Sequence, residues 1–172
     1  MIRGTPVFLL LSIASAQATI VQEIIPQRGN CLSKVHHQLD FWIGDWTVYA
    51  QGSTTPLATS HVESVMDGCA LRETYNAPTA PARPYAGTSL STYDRKDGKW
   101  HQLYIDTGGN LVLYTGTFDG AGLALQAPGE NGALQTMTLI PQADGTLHQS
   151  GTYSLDGGKT WTADYDYIYR RK

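Results

Sequence analysis

Two carboxylates and two tyrosines are the side chains of this sequence best suited to chemistry: Glu73, Asp106, Tyr75 and Tyr104. Each stands in a segment whose side chains alternate between two faces, so a period of two decides their neighbours. From Trp100 to Asp106, one face carries Trp100, Gln102, Tyr104 and Asp106, and the other carries His101, Leu103 and Ile105. The same rule groups Leu71, Glu73 and Tyr75, and also Gln149 with Tyr153. Aromatic bodies with a few polar tips suit a small-molecule cavity, because stacking area gives affinity and fixed polar groups give orientation. Alternation says which residues share a face. It leaves open whether that face turns inward or lies on the solvated outside as cross-strand pairs.

If the face turns inward, a carboxylate in a semi-apolar cup has a raised pKa, and Glu73 and Asp106 can act as general acid and base. Tyr104 or Tyr75 can then donate to a developing oxyanion, which suits an isomerase, lyase or cyclase that needs no cofactor. The candidate catalytic set is Glu73, Asp106 and Tyr104, and the candidate ligand-binding set is Tyr75, Trp100, Gln102, Gln149 and Tyr153. The plainer role for a buried carboxylate is a hydrogen bond to its neighbour. His36 and His37 are adjacent and point apart. His61, His101 and His148 fall on three different segments with no HxH or HExxH spacing, so no metal is expected. No GxSxG elbow and no glycine-rich phosphate loop before a helix is present, which argues against nucleophile-elbow hydrolases and nucleotide enzymes.

These residues need a sheet to hold them. Turn signals such as Asp67-Gly68, Asp97-Gly98, Asp119-Gly120, Asn131-Gly132 and Asp144-Gly145 recur at the spacing of an all-β sandwich or barrel. Between the turns lie candidate strands near 45–51, 57–66, 69–76, 86–94, 99–106, 111–118, 122–127, 134–140, 146–154 and 160–169. Strands joined in sequence by tight turns are antiparallel neighbours, so the expected fold is a meander of about 8–10 strands closed into a β-barrel. Only residues 31–42 can hold a helix, a short N-terminal one that caps one barrel end. Residues 76–84 carry three prolines and read as a rim loop, since proline is excluded from central strands.

The first 18 residues have the features of a secretory signal: Arg3, an apolar run from Val7 to Ile13, and the small-x-small site Ala16-Gln17-Ala18. The expected organisation is a signal peptide over 1–18, an extension over 19–30 and one barrel domain over 31–172. A retained, uncleaved signal acting as an anchor is the alternative. The expected location is periplasmic or secreted, with no membrane insertion after cleavage. The chain has 12 Lys+Arg against 15 Asp+Glu, an acidic balance that argues against nucleic-acid partners. In an oxidising compartment the economical state of Cys31 and Cys69 is a disulfide, against two free thiols or a catalytic cysteine.

Four stretches carry a resemblance: His37-Gln38-Leu39-Asp40-Phe41-Trp42-Ile43-Gly44-Asp45-Trp46, Met66-Asp67-Gly68-Cys69-Ala70-Leu71-Arg72-Glu73, Trp100 to Asp106, and Ser154 to Trp161. Together they resemble an uncharacterised family of exported bacterial domains with a calycin-like barrel. That resemblance implies the lipocalin, fatty-acid-binding-protein and nitrobindin neighbourhood, where a Gly-x-Trp on the first strand packs across the closed end, as Gly44-Asp45-Trp46 would. It brings a fold and no reaction. Ser154-x-Asp156-x-Gly158-x-Thr160-Trp161 also matches the Asp-box of sialidase propellers, but one copy in a chain this short cannot build a propeller. It reads as a hairpin in which Asp156 bonds the turn backbone and Trp161 packs beneath. The functional expectation is an exported barrel that binds a small apolar or aromatic molecule. The alternatives are a cofactor-free enzyme using the same cup and an envelope interaction module without a cavity.

Overall fold

The computed structural model describes residues 31–80 and 83–172. The expected signal peptide over 1–18 and the expected extension over 19–30 lie outside the described residues. Ten strands follow in order: β1 (Gly44–Ala50), β2 (Pro56–Val65), β3 (Ala70–Ala77), β4 (Tyr85–Asp94), β5 (Lys99–Asp106), β6 (Leu111–Phe118), β7 (Leu123–Pro128), β8 (Leu134–Pro141), β9 (Leu147–Ser154) and β10 (Thr162–Arg171). Each pairs antiparallel with its neighbour in sequence, and β10 returns to β1 to close the barrel. Trp46 lies opposite Arg171 and Val48 opposite Tyr169 across that seam. The all-β meander barrel is therefore as the turn pattern predicts.

Aspartates set several of the turns through their side chains. Asp97 accepts the Lys99 N–H, Asp119 accepts those of Ala121 and Gly122, and Asp144 accepts that of Thr146. Asp156 accepts the Lys159 and Thr160 N–H groups and the Thr160 hydroxyl, as the hairpin reading expects. Trp161 differs from that reading. Its ring lies against Gly158 of the turn and its indole N–H donates to the Gly158 carbonyl, but it stays 42 % exposed.

One end of the barrel is sealed. The expected cap over 31–42 is two short 3-10 turns, Lys34–His37 and Asp40–Trp42, rather than a continuous helix. They bring Leu39 and Trp42 into full burial against Trp46. Trp46 donates to the Trp42 carbonyl at 2.8 Å, and Trp100 donates to the Gln38 side chain at 3.0 Å. Arg171 covers the Trp46 ring at 4.3 Å while its guanidinium donates to the Phe41 and Ile43 carbonyls. The cap is thus fixed from both ends of the described chain.

Cys31 and Cys69 form a disulfide across a sequence separation of 38. It fastens the cap to the β2–β3 turn, and closing a loop of that length contributes about 4 kcal/mol in the chain-entropy account. No helix among the described residues is long and apolar enough to cross a membrane.

Candidate ligand site

The opposite end is open, and a cavity of about 980 Å3 runs into it. Its mouth lies among the loops after β3, β5 and β7, marked by Ala80, Asn110 and Glu130, and by Asp164 on β10. Seven tyrosines line it: Tyr75, Tyr85, Tyr104, Tyr114, Tyr165, Tyr167 and Tyr169. The face carrying Gln102, Tyr104 and Asp106 turns inward, as does the one carrying Glu73 and Tyr75.

Glu73 sits at the base of the polar region and is 5 % exposed. Register places it opposite Ser89 on β4 and next to Ser60 on β2. Ser60 donates to one carboxylate oxygen at 2.7 Å and Ser89 to the other at 3.4 Å. Tyr169 stands 3.5 Å from the first oxygen, but its shorter bond, 2.8 Å, goes to the Gln149 side-chain carbonyl. Burial pushes the Glu73 pKa up to about 7, against the opposing effect of the Ser60, Ser89 and Tyr169 hydroxyls. Glu73 is therefore a carboxyl poised to gain or lose a proton near neutral pH.

Asp106 differs. Its oxygens accept the Gly108 and Asn110 N–H groups, the Asn110 side-chain amide and the Tyr85 hydroxyl at 2.9 Å. Burial pulls its pKa upward, yet the bonds from Asn110, Tyr85 and Gly108 outweigh that and hold it below the usual carboxylate range. Its acceptor positions are occupied by a turn, so it supplies charge to the mouth and organises Tyr85. Tyr85 in turn hydrogen-bonds the Tyr104 hydroxyl. Burial raises the Tyr104 pKa well above the ordinary phenol value, with the Tyr85 bond adding to it, and the group stays a neutral donor.

Two mid-strand glycines make room for this lining. A β-carbon at Gly87 would stand 2.4 Å from the Tyr104 hydroxyl, and one at Gly151 would stand 2.3 Å from the Tyr165 ring. Both tyrosines lie flat across a neighbouring strand where any larger residue would displace them. Tyr165 and Tyr167 stack at 5.1 Å, and Tyr75 meets Tyr85 edge-on at 6.2 Å.

The structure brings Glu73, Asp106, Tyr104, Tyr75, Gln102 and Gln149 to one cavity. Trp100 belongs to the sealed end, buried against Tyr93 and bonded to Gln38. Tyr153 lies outside the cavity lining and is 36 % exposed. Tyr153 stands near the end of β9 opposite Gln135, and the next residue, Ser154, is buried where its hydroxyl donates to Asp156 and accepts the Gly158 N–H in the following turn. Sequence reasoning missed Tyr165, Tyr167 and Tyr169, although their spacing of two on the last strand puts them on one face. It also missed Ser60 and Ser89, whose type carries no signal until the register is known.

His61, His101 and His148 project outward, each onto its own aspartate: Asp45, Asp97 and Asp166. On the outer face of β5 and β6, Leu103 lies opposite Leu113 and Ile105 opposite Leu111, all four exposed. This apolar quartet accompanies the cavity and does not replace it.

A small antiparallel barrel, sealed at one end by an N-terminal cap and hollow at the other, is the class that this fold and site define. The family model described as protein of unknown function (DUF1579) matches residues 32–156, and the chain belongs to that family. No curated protein matches it.

Proposed function

We propose that the barrel binds one small molecule with an apolar or aromatic body in its open-ended cavity, and that it does so as an exported, calycin-like carrier or receptor. The cavity carries the reading. Small-molecule sites occupy roughly 300–1,000 Å3 with mostly aromatic and apolar walls and a few convergent polar groups. Here tyrosine faces supply the walls, and Gln102, Gln135 and Gln149 with Glu73 supply fixed polar groups. The disulfide supports export, since such bonds persist in oxidising compartments. Trp46 across the sealed end supports the calycin-like relationship.

Native mass spectrometry of the protein purified from its own cell envelope tests the reading. The expected result is a stoichiometric organic mass, released on denaturation. Absence of cargo, together with no binding of aromatic probes by the purified protein, overturns it.

A second reading makes the cup an enzyme without a cofactor, with Glu73 as acid or base and Tyr104 as a donor. The observation favouring it is a buried carboxyl near neutrality in the same cavity as a neutral phenol. It requires Glu73-dependent exchange of solvent deuterium into a C–H bond of the captured molecule. A cargo that takes up no deuterium removes the proton-abstraction form of this reading.

A further inference from the structure

We propose that the cup selects an organic cation, an amine or quaternary ammonium group carried on an aromatic or apolar body. This names the ligand class for the binding site above and rests on that reading.

Charge distribution is the first support. Among the described residues lining the cavity, Glu73, Asp106, Glu130 and Asp164 are acidic and none is Lys, Arg or His. The chain has 12 Lys+Arg to place. Arg72 pairs with Glu63 on the outer wall, Arg170 covers Tyr49, and Arg171 lies over Trp46 at the sealed end. Arg83, on the loop beside the mouth, is exposed and is not among the lining residues. An anionic ligand would meet four carboxylates and no counter-charge.

The walls are the second support. Burial raises the pKa of Tyr75, Tyr104, Tyr165 and Tyr169, so these phenols remain neutral and offer ring faces rather than phenolates. A cation over such a face gains about 0.5–1 kcal/mol when exposed and about 2 or more when desolvated. The stacked Tyr165 and Tyr167 and the edge-on Tyr75 and Tyr85 give the cavity several such surfaces.

Glu73 is the third. Two serine hydroxyls donate to it, an arrangement that favours the ionised form, and no basic side chain within the described lining neutralises it. A ligand ammonium group supplies the missing counter-charge. Capture then holds Glu73 ionised and releases its proton. Asp106, its oxygens already filled, contributes field. Glu130 and Asp164 at the mouth draw the cation inward in a salt-dependent way.

Three matched probes test this by titration calorimetry on the full mature chain: (2-naphthylmethyl)trimethylammonium, 2-naphthylmethanol and 2-naphthylacetate. The ammonium probe is expected to bind at least about tenfold more tightly than the alcohol, and the acetate not at all. Glu73→Gln is expected to cost the ammonium probe about tenfold and leave the alcohol unchanged. The proton released at pH 7, read from the dependence of the heat on buffer ionisation, disappears in the same variant. Asp164→Asn leaves the buried network intact and is expected to cost about two- to threefold, fading at high salt; it keeps the test sound if Glu73→Gln fails to fold. Equal binding of ammonium and alcohol, or preference for the acetate, overturns cation selection and leaves the cup standing. Failure of all three to bind, with no native cargo, overturns both.

Discussion

At the sealed end Trp42, Trp46 and Trp100 fill the bore, whereas at the open end Tyr75, Tyr85, Tyr104, Tyr165 and Tyr167 line it without filling it. Both regions belong to one set of ten strands with one inside and one outside. What separates them is a segment that is no part of the sheet. The 3-10 turns before β1 insert Leu39 and Trp42 into one end, and nothing comparable enters the other among the described residues. Inward alternation therefore does not decide whether a barrel interior becomes core or cup. Here Leu39 and Trp42, delivered from outside the strands, join Trp46 on β1 and Trp100 on β5 to fill one end.

The sharpest way to break that contrast is to empty the sealed end. Trp42→Ala is expected to cost about 3–5 kcal/mol in urea unfolding, because a fully buried indole leaves a cavity behind. Tyr167→Ala at the open end, where the ring faces a space already hollow, is expected to cost less than about 1 kcal/mol while weakening probe binding. Equal costs would mean that the two ends are packed alike. Removing the fastening, with Cys31→Ser and Cys69→Ser together, is expected to cost about 4 kcal/mol and to leave the strand signal in circular dichroism intact in the absence of denaturant.

The open end should show a pH signature that comes from Glu73. Burial raises Glu73 from 4.5 to about 7, so between these values the folded chain binds more protons than the unfolded one. Stability accordingly falls as pH rises through that window, by an amount on the order of 3 kcal/mol, and levels off above it. Glu73→Gln should flatten the slope, and an unchanged slope would mean that Glu73 is solvated. Gly151→Ala probes the same wall from the neighbouring strand. Its β-carbon would push the Tyr165 ring away, with an expected cost of about 1–3 kcal/mol and a loss of probe affinity, read together from one thermal-shift titration.

Much of this was legible in the residues. Asp-Gly and Asn-Gly pairs punctuate the strands so regularly that all ten could be placed with ends off by at most two residues. The grouping of Gln102, Tyr104 and Asp106, and of Glu73 with Tyr75, followed from alternation, because no bulge interrupts β3 or β5. Tyr153 marks the limit: it pairs with Gln135, which lines the cavity, yet stands at the end of β9, 36 % exposed and outside the lining, and alternation does not say how far along a strand the cavity reaches. The separation of Glu73 from Asp106 in behaviour was out of reach for another reason. It depends on Ser60 and Ser89 from two other strands and on how completely the Gly108-Gly109-Asn110 turn wraps the second carboxylate.

Cys31 and Lys172 both lie at the sealed end: Cys31 is bonded to the β2–β3 turn, and the Lys172 N–H donates to the Asp45 carbonyl at the start of β1. A tether attached at Lys172 leaves from the end of the barrel opposite the mouth. The protein can thus be immobilised on a surface, or fused to another domain, through Lys172 with its opening turned outward.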